Sequence, residues 1–158
     1  MNVFILDEDP IQAARDQCNK HVVKMILESA QLLVTAFPKG TTVYKHTHFN
    51  HPCGKWMRQS LSNYGWLLSH AIELCAEYTR RYDRAHKTED VILSLDVPDL
   101  PDVGLTPFAR AIKEPWKSQS AHMSIVDAYR HYYINDKARF ARWAPRTSAP
   151  AWWPAQNA

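Results

Sequence analysis

The chain has 158 residues, a length that fits one domain with a sizeable core. Hydrophobic residues make up 46% and charged residues 22%, the balance of an ordinary globular protein. No apolar run approaches the ~18 residues of a membrane span, and the first residues lack the charged leader of a signal peptide. We therefore expect no membrane partner and a location in the cytoplasm.

The cysteines, Cys18, Cys53 and Cys75, are odd in number and widely spaced, so they predict neither a disulfide framework nor a CxxC pair. Cys18 and Cys75 fall among helical apolar positions and are expected to be buried thiols. The motifs GxxxxGK[ST], GxGxxG, GxSxG and HExxH are all missing from the sequence, which removes the main support for P-loop, dinucleotide and α/β-hydrolase functions. No cofactor is predicted.

The net charge of +3 is a mild bias, but the cations are clustered at 80–87 and at 130–146. Both clusters are interleaved with aromatic residues, a pattern typical of proteins that bind the phosphate backbone. Either cluster alone is explained by a solvated helical face. The two together favour DNA as the partner.

The first predicted elements are short. Residues 3–6 are apolar and predict a short strand or an extended edge segment. Asp9 is placed to cap a helix that Pro10 opens and that runs to about Gln17. A second helix is predicted over 19–36, with a buried stripe at helical spacing formed by Val22, Val23, Ile26, Ala30, Leu33 and Val34.

The middle of the chain reads as a loop over 37–51, a helix opened by Pro52, and a helix over 60–84. The core side of that last helix is predicted to consist of Tyr64, Leu67, Leu68, Ala71, Ile72, Leu74, Cys75 and Tyr78.

Beyond it, Thr88 caps a short helix ending near Leu95, and 96–107 is a surface connector with prolines and a glycine. A last long helix is predicted over 124–143. The Pro/Trp-rich tail either docks or frays. The sequence thus predicts a mainly α fold: a single compact all-helical domain over 1–143 with a short N-terminal extended segment, and a tail over 144–158.

The segment 44–53 is rich in chemistry, with histidines, a lysine, a thiol, a phenol and a carboxamide and no apolar periodicity. Burying it would leave polar groups unsatisfied, so it reads as a loop that presents its side chains. We interpret His48 and His51 as candidate catalytic residues, with Asn50 or His51 also able to cap the helix at Pro52. The density of histidine and cysteine in this segment resembles that of a set of metal ligands. A second ligand cluster is missing from the sequence, so no metal is predicted. The candidate substrate-binding residues here are Tyr44, Lys45, His46 and Asn50.

Residues 20–28 place two lysines and a carboxylate within reach of one another on a helix. Glu28 is the candidate acid, base or stabiliser of a cationic intermediate, and Lys24 is the second catalytic candidate. Lys20 and His21 are candidate substrate contacts. The alternative is an exposed Lys–Glu pair worth a few tenths of a kcal/mol.

Asn63 and Trp66 lie one helical turn apart, so Asn63 could form a hydrogen bond with a base on which Trp66 stacks. The alternative is that the aromatic side chain belongs to the core. Cations on the two aromatic faces are the remaining candidates for substrate binding, through the DNA backbone: Arg81, His86, Lys87 and Arg130.

Four motifs resemble a family of small bacteriophage-encoded proteins over about 1–143. They are Asn19-Lys20-His21-Val22-Val23-Lys24-Met25-x-x-Glu28-x-x-Gln31-Leu32-Leu33, Tyr44-Lys45-x-Thr47-His48-x-Asn50-His51-Pro52, Asn63-Tyr64-x-Trp66-Leu67 and Tyr129-Arg130-x-Tyr132-Tyr133-Ile134.

More distantly, the order of features is similar to the phage pyrimidine-dimer DNA glycosylases of the endonuclease V type. The resemblance implies an all-α basic enzyme with a catalytic glutamate on an early helix and an N-terminal amine that attacks the sugar. Glu28 lies on a comparable helix, while Met25 falls nearer the aligned position. Because Asn2 is bulky, Met1 is expected to be retained, and the amine would come from Met1, Lys20 or Lys24.

We hypothesise a phage-type enzyme that acts on a pyrimidine base in DNA, by excision or by modification, in the host cytoplasm. One alternative is a transferase that attaches an amino acid to an activated thymine, with a small-molecule amino donor as second partner. Another is a non-catalytic DNA-binding phage factor. Glu28 discriminates them, because a pure binder gains nothing from an acid on a cationic face.

Overall fold

In the computed structural model, residues 1–155 are described, and this part of the chain is helical without a β-strand. The predicted fold class is therefore confirmed. The helices are α1 (Pro10–Arg15), α2 (Asn19–Leu33), α3 (Pro52–Arg58), α4 (Leu61–Tyr82), α5 (Glu89–Leu93), α6 (Trp116–Gln119) and α7 (Ile125–Tyr132). None of the helices described is long and apolar enough to cross a membrane.

The first six residues form an irregular strip in the core rather than a strand or an edge, and Phe4 lies in the left-handed region at φ +61°. Val3, Ile5 and Leu6 are at most 3% exposed. The side chain of Asn2 supports the strip, because its Oδ1 accepts the backbone N–H groups of residues 3 and 4 and its Nδ2 donates to Ala111 O at 2.7 Å. The chain start is thus fixed by packing and by hydrogen bonds to distant backbone.

α2 and α4 pack against each other, and α1 packs on α4. The predicted stripe of α2 is confirmed except at Val23, which is 40% exposed, and Ile72 of α4 is likewise 41% exposed rather than core. Successive helical residues point about 100° apart. Val22 is fully buried, so its neighbour Val23 falls outside the buried stripe.

Capping explains the helix ends. Ser60 caps α4 by accepting the N–H of Ser62 at 3.3 Å, and Asp83 ends it in the left-handed region at φ +54°. α2 continues as a 3-10 turn over Val34–Ala36, which brings its end to the predicted position.

The last helix is shorter than predicted. α7 ends at Tyr132 and passes into a π-helical turn over Tyr133–Lys137, and the chain then leaves the helix. The chain after the π-helical turn is bonded to Asn19. The backbone N–H of Asn19 donates to Arg142 O at 2.8 Å, and its side chain donates to Trp143 O at 3.0 Å. These bonds tie the chain to the start of α2 and end the helix early.

The connector over 96–107 has no regular structure, as predicted, and is attached to the start of α4. The tail docks on the body: Trp152 Nε1 donates to Asp16 Oδ2 at 2.7 Å, and Trp153 is 5% exposed. Residues 156–158 of the predicted tail lie outside the described residues. Cys18 and Cys75 are buried free thiols, as predicted.

Candidate active site

The α-amine of Met1 lies beside the carboxylate of Glu28. The amine nitrogen is 3.8 Å from Oε1, and the backbone N–H of Asn2 points at Oε2 over 3.4 Å. Lys24 Nζ is 3.9 Å from Oε1, which confirms the predicted i,i+4 contact. The Glu28 side chain is 12% exposed, so one carboxylate is held between two amines at the edge of solvent.

The position of the amine is set by burial of the residue that carries it. The Met1 side chain is 3% exposed and packs on the core. Asn2 and Val3 follow directly into the buried strip. Burial of the Met1 side chain and of the residues that follow it therefore places the amine beside Glu28.

A cavity of about 140 Å³ opens at this amine. Three of the sequence candidates lie together in its wall: Glu28, Lys24 and His21. The full lining is Met1, Asn2, Phe4, His21, Lys24, Met25, Glu28, Tyr132 and Lys137. An amine, a carboxylate and further cations thus face one small space.

His21 is held as a neutral ring. Its Nδ1 lies 2.7 Å from the hydroxyl of Tyr133, which also accepts the N–H of Cys18 at 3.0 Å. This one oxygen therefore holds both the His21 ring and the start of α2. Burial lowers the pKa of His21 to about 3, with the ammonium groups of Lys137 and Lys24 acting in the same direction.

Tyr132 and Lys137 belong to the cavity wall, although neither was among the candidates from the sequence. Lys137 Nζ lies 2.7 Å from Asp136 Oδ2 and 4.7 Å from the centre of the Tyr132 ring. Residues five apart point to different sides of an α-helix and share a side only in the wider π turn seen here. The aromatic-cationic pattern of this segment was visible in the sequence, but its π geometry was not.

A second cavity of about 360 Å³ shares Met1, Asn2 and Tyr132 with the first. It adds His51 and three cations that the sequence analysis did not single out, Arg110, Lys113 and Lys117. Arg110 and Lys113 lie in a segment without regular structure, so no helical spacing in the sequence groups these cations.

His51, the N-cap of α3, lines the second cavity together with Met1. Its Nδ1 accepts the N–H of Cys53 at 3.1 Å, so the predicted capping role is confirmed for this residue. Burial, then the Met1 ammonium, lower the pKa of His51. Burial raises the pKa of the adjacent Cys53 thiol to about 12, so this sulfur is not a thiolate nucleophile.

The other loop candidates form a separate face, which lines cavities that do not include Met1. His48 and Asn50 are exposed there, and His46 is bonded through Nε2 to Phe37 O at 2.9 Å. The Tyr44 hydroxyl lies 3.0 Å from the Thr88 hydroxyl. Two further candidates on this face are the exposed Lys45 and Lys87.

Three candidate substrate contacts are interior residues, which corrects the sequence interpretation. Asn63 is fully buried and bonded to Trp56 O and Thr106; Arg81 is 4% exposed and bonded to Glu77. Trp66 is 7% exposed and donates to Glu8 O at 2.8 Å. Their polar groups are used by the fold and are not presented to a ligand.

The remaining candidates lie at the surface and contact the protein itself. Arg130 donates to Leu6 O at 2.9 Å, and His86 lies 3.1 Å from Val23 O. Lys20 is exposed, with its ammonium 4.8 Å above the ring of Phe140. Within residues 1–155, no three His, Cys, Asp or Glu side chains converge in a way that could hold a metal ion.

The part of the chain that carries the amine, Glu28 and His51 matches a known family. A family model described as pyrimidine dimer DNA glycosylase matches residues 1–90. The chain belongs to this family. Searches of curated proteins and of solved structures each found no match.

Membership in the pyrimidine dimer DNA glycosylase family implies a glycosylase-like enzyme with DNA as its substrate. The matched residues run from the chain start through α4 and into α5. Tyr132, Lys137 and the cations of 110–117 lie outside them, so the rest of the chain completes both cavities.

Proposed function

We propose that this family member excises a pyrimidine base from DNA, with the α-amine of Met1 as nucleophile and Glu28 as the catalytic carboxylate. The observation that carries the proposal is the 3.8 Å separation of the Met1 amine and Glu28 Oε1 at the mouth of one cavity. An amine that attacks a carbon must be uncharged, and a neighbouring carboxylate can accept its proton.

The proposed reaction breaks one bond and forms one. The amine nitrogen bonds to C1′ of the sugar while the C1′–N bond to the base breaks, and its electron pair leaves with the base. The base takes up a proton and the amine loses one, through Glu28. As the sugar carbon becomes cationic, the carboxylate of Glu28 also stabilises the charge.

The base must leave the helical stack to reach this amine. His21 suits the small cavity as a contact for the extruded base, because its ring is neutral and a ring nitrogen can form a hydrogen bond with a pyrimidine. Since the ring stacks on Phe4 at 4.5 Å and is bonded to Tyr133, it is held in place.

The cations around the amine supply contacts for the DNA backbone. Lys24 borders the small cavity, and Arg110, Lys113 and Lys117 border the adjoining one. The loop face extends this surface across the other side of α2, where Leu27 and Gln31 share its lining. We assign flanking DNA contacts to its candidates, Tyr44, Lys45, His46, His48, Asn50 and Lys87.

Two rival assignments are weaker on geometry. Met25, nearer the aligned position of the catalytic carboxylate, is 3% exposed and carries a thioether, so Glu28, one turn later, takes that role. Lys20 does not line the cavity. Lys24 does line the cavity, so its amine is the alternative nucleophile to the Met1 amine.

The test incubates the protein with ordinary DNA, ultraviolet-irradiated DNA and hydroxymethyluracil-containing DNA, in the presence of borohydride and with or without amino acids. The C1′ adduct becomes an imine when the sugar ring opens: the nitrogen electron pair forms the C=N bond, the C1′–O4′ bond breaks, and O4′ takes up the proton that the nitrogen loses. Borohydride reduces this imine to a stable link, and peptide mass spectrometry then locates it. Glu28→Gln is the catalytic variant. Glu8→Gln is the matched control, because Glu8 is exposed at the surface.

We expect base loss and a cross-link on Met1 that Glu28→Gln abolishes and Glu8→Gln leaves intact. A cross-link on Lys24 overturns the assignment of the nucleophile. A heavier nucleoside that needs an amino acid replaces excision with transfer onto the base. Binding without any altered DNA makes the protein a non-catalytic factor.

A further inference from the structure

We propose that Asn2 is the positioning residue for the Met1 amine, and that it holds the amine through a bond to a segment beyond the family-matched residues. We call this set of contacts the Asn2 brace: the carboxamide of Asn2, the backbone of 109–111 and the hydroxyl of Tyr129. The kinetic consequence of the brace rests on the proposed function, whereas its structural content stands independently.

The carboxamide of Asn2 uses both of its polar atoms. Oδ1 accepts the backbone N–H groups of Val3 at 2.8 Å and Phe4 at 3.2 Å, and so sets the turn of the strip directly after Asn2. Nδ2 donates to Ala111 O at 2.7 Å, which lies in a distant part of the chain. An ionised aspartate could make the local contacts, but it has no donor for the distant one.

Tyr129 holds the acceptor of that distant bond in place. Its hydroxyl accepts the N–H of Ala111 at 2.9 Å and donates to Ala109 O at 2.8 Å, which fixes both ends of a three-residue segment. The Tyr129 ring is fully buried and belongs to α7. Because residues 109–111 have no regular secondary structure, this hydroxyl rather than a helix or strand sets the position of the Ala111 carbonyl.

The other end of the brace lies at the reacting groups. The backbone N–H of Asn2 points at Glu28 Oε2 over 3.4 Å, and the Met1 amine is 3.8 Å from Oε1. Asn2 also lines both cavities at Met1. Because the peptide between residues 1 and 2 is a rigid plane, a displacement of Asn2 carries the amine with it. The bond to Ala111 O opposes that displacement.

Two substitutions break the brace from opposite ends. Asn2→Asp keeps the local acceptor but faces Ala111 O with an oxygen in place of a donor. Since aspartate is as bulky as asparagine, Met1 is expected to be retained. Tyr129→Phe removes the hydroxyl without adding a charge and keeps the Asn2 carboxamide. A shared effect of the two variants is therefore not an effect of charge.

Matched controls lose similar bonds elsewhere in the core. Asn63 is buried, and its Nδ2 and Oδ1 likewise bond to backbone groups, so Asn63→Asp is the control for Asn2→Asp. Tyr64 is buried, and its hydroxyl donates to a carbonyl of the connector at 3.2 Å, so Tyr64→Phe is the control for Tyr129→Phe. Both controls lie outside the lining of the two cavities at Met1.

In the borohydride assay, Asn2→Asp should slow imine formation at saturating DNA on the order of 10- to 100-fold, because small misplacements of a reacting group cost this much. Tyr129→Phe should slow it by about 10-fold for the same reason. We expect Tyr129→Phe to leave KM for DNA unchanged, since Arg110 in the loosened segment keeps bonds of its own to two backbone carbonyls. The two control variants should keep the rate of the unaltered protein.

Nitrogen-15 NMR spectra test the brace without DNA. Tyr129→Phe should shift the side-chain amide signals of Asn2, which report on the bond to Ala111 O. It should also shift the backbone amide signal of Asn2, which reports on the contact with Glu28. Tyr64→Phe should leave all these signals in place. If Asn2→Asp does not fold, these spectra and the rate of Tyr129→Phe decide.

Asn2 signals that Tyr129→Phe leaves in place overturn the brace. Rates that fall equally in the brace variants and their controls overturn it as well, because they indicate only a loss of stability. If the unaltered protein forms the Met1 imine and neither brace variant slows it, the positioning role fails and the proposed function stands. If the Asn2 signals shift but the unaltered protein forms no imine on any DNA, the brace stands and the proposed function fails.

Discussion

The hydroxyl of Tyr133 lies 2.7 Å from Nδ1 of His21, and the same oxygen accepts the N–H of Cys18 at 3.0 Å. One buried hydroxyl therefore joins the π-helical turn to the start of α2. It satisfies the backbone N–H of Cys18 at the start of α2 and holds a ring in the cavity wall. The C-terminal part of the chain thereby positions a residue on the family-matched part.

Tyr133→Phe removes this oxygen and leaves the Cys18 N–H and His21 Nδ1 buried without a partner. We expect the free energy of unfolding to fall by about 1–3 kcal/mol, the usual cost of an unsatisfied buried group. Urea denaturation measures it. Tyr82→Phe is the matched control, because the Tyr82 hydroxyl makes no hydrogen bond within residues 1–155. Equal losses in the two variants would contradict a role for the hydrogen bonds.

Stability should depend on pH through His70, which is fully buried and bonded to Gln17. Burial lowers the pKa of His70 to about 3, whereas the unfolded residue titrates near 6.5. Between these values the unfolded chain binds the extra proton, so stability falls as pH falls from about 6.5 toward 3. His70 contributes a slope of at most roughly 1.4 kcal/mol per pH unit.

Urea denaturation at pH 7 and at pH 5 tests this dependence. His70→Gln should reduce the loss of stability between the two pH values, even though it lowers stability at both. His122→Gln alters an exposed histidine and should leave the loss as it is in the unaltered protein. A pH dependence that His70→Gln does not reduce would assign it to other groups.

The helices could be predicted from the spacing of apolar residues, because that spacing depends only on residues that are close together in the sequence. The buried stripe of α2 follows the helical period, and the Lys24–Glu28 contact follows from a spacing of four. Sequence could not place Met1 at Glu28, since the two are brought together by packing of the N-terminal strip. Only the resemblance to a glycosylase with an N-terminal amine pointed to that pairing.

The failures of prediction have the same physical origin. Asn63 and Trp66 have the side chains of a base-binding surface, but their partners are Thr106 and Glu8, which lie far away in sequence. A polar side chain that is satisfied by a distant loop looks identical in sequence to one that awaits a ligand. Burial decides between the two, and burial is a property of the whole fold.

The cations near the amine should make DNA binding depend on salt. Lys117 is exposed and lines the cavity beside Met1. If it contacts one phosphate, Lys117→Gln should reduce the slope of log K against log salt by about 1. Binding titrations of a short duplex at several salt concentrations measure the slope. Lys55→Gln is the control, since Lys55 is exposed and lines neither of the cavities at Met1. If Lys117→Gln and Lys55→Gln give the same slope of log K against log salt, Lys117 makes no phosphate contact of its own.

The tail should be held by the bond from Trp152 Nε1 to Asp16 Oδ2, which is 2.7 Å long and partly buried. Burial raises the pKa of Asp16, and the Trp152 hydrogen bond acts against that rise. Trp152→Phe removes the donor while keeping an aromatic ring. The carboxylate then loses a stabilising contact in its charged form, and the docked tail becomes less stable relative to an open one.

Limited trypsin digestion detects that opening, because Arg146 is exposed just before the docked segment. Loss of one hydrogen bond of about 1 kcal/mol should speed cleavage after Arg146 by roughly 5-fold, provided that opening is fast relative to cleavage. Trp116→Phe, which alters a ring packed on Tyr132 and away from the tail, should leave that rate unchanged. The same rate in Trp152→Phe and the unaltered protein would show that ring packing, with Trp153 buried against Trp143, holds the tail without the hydrogen bond.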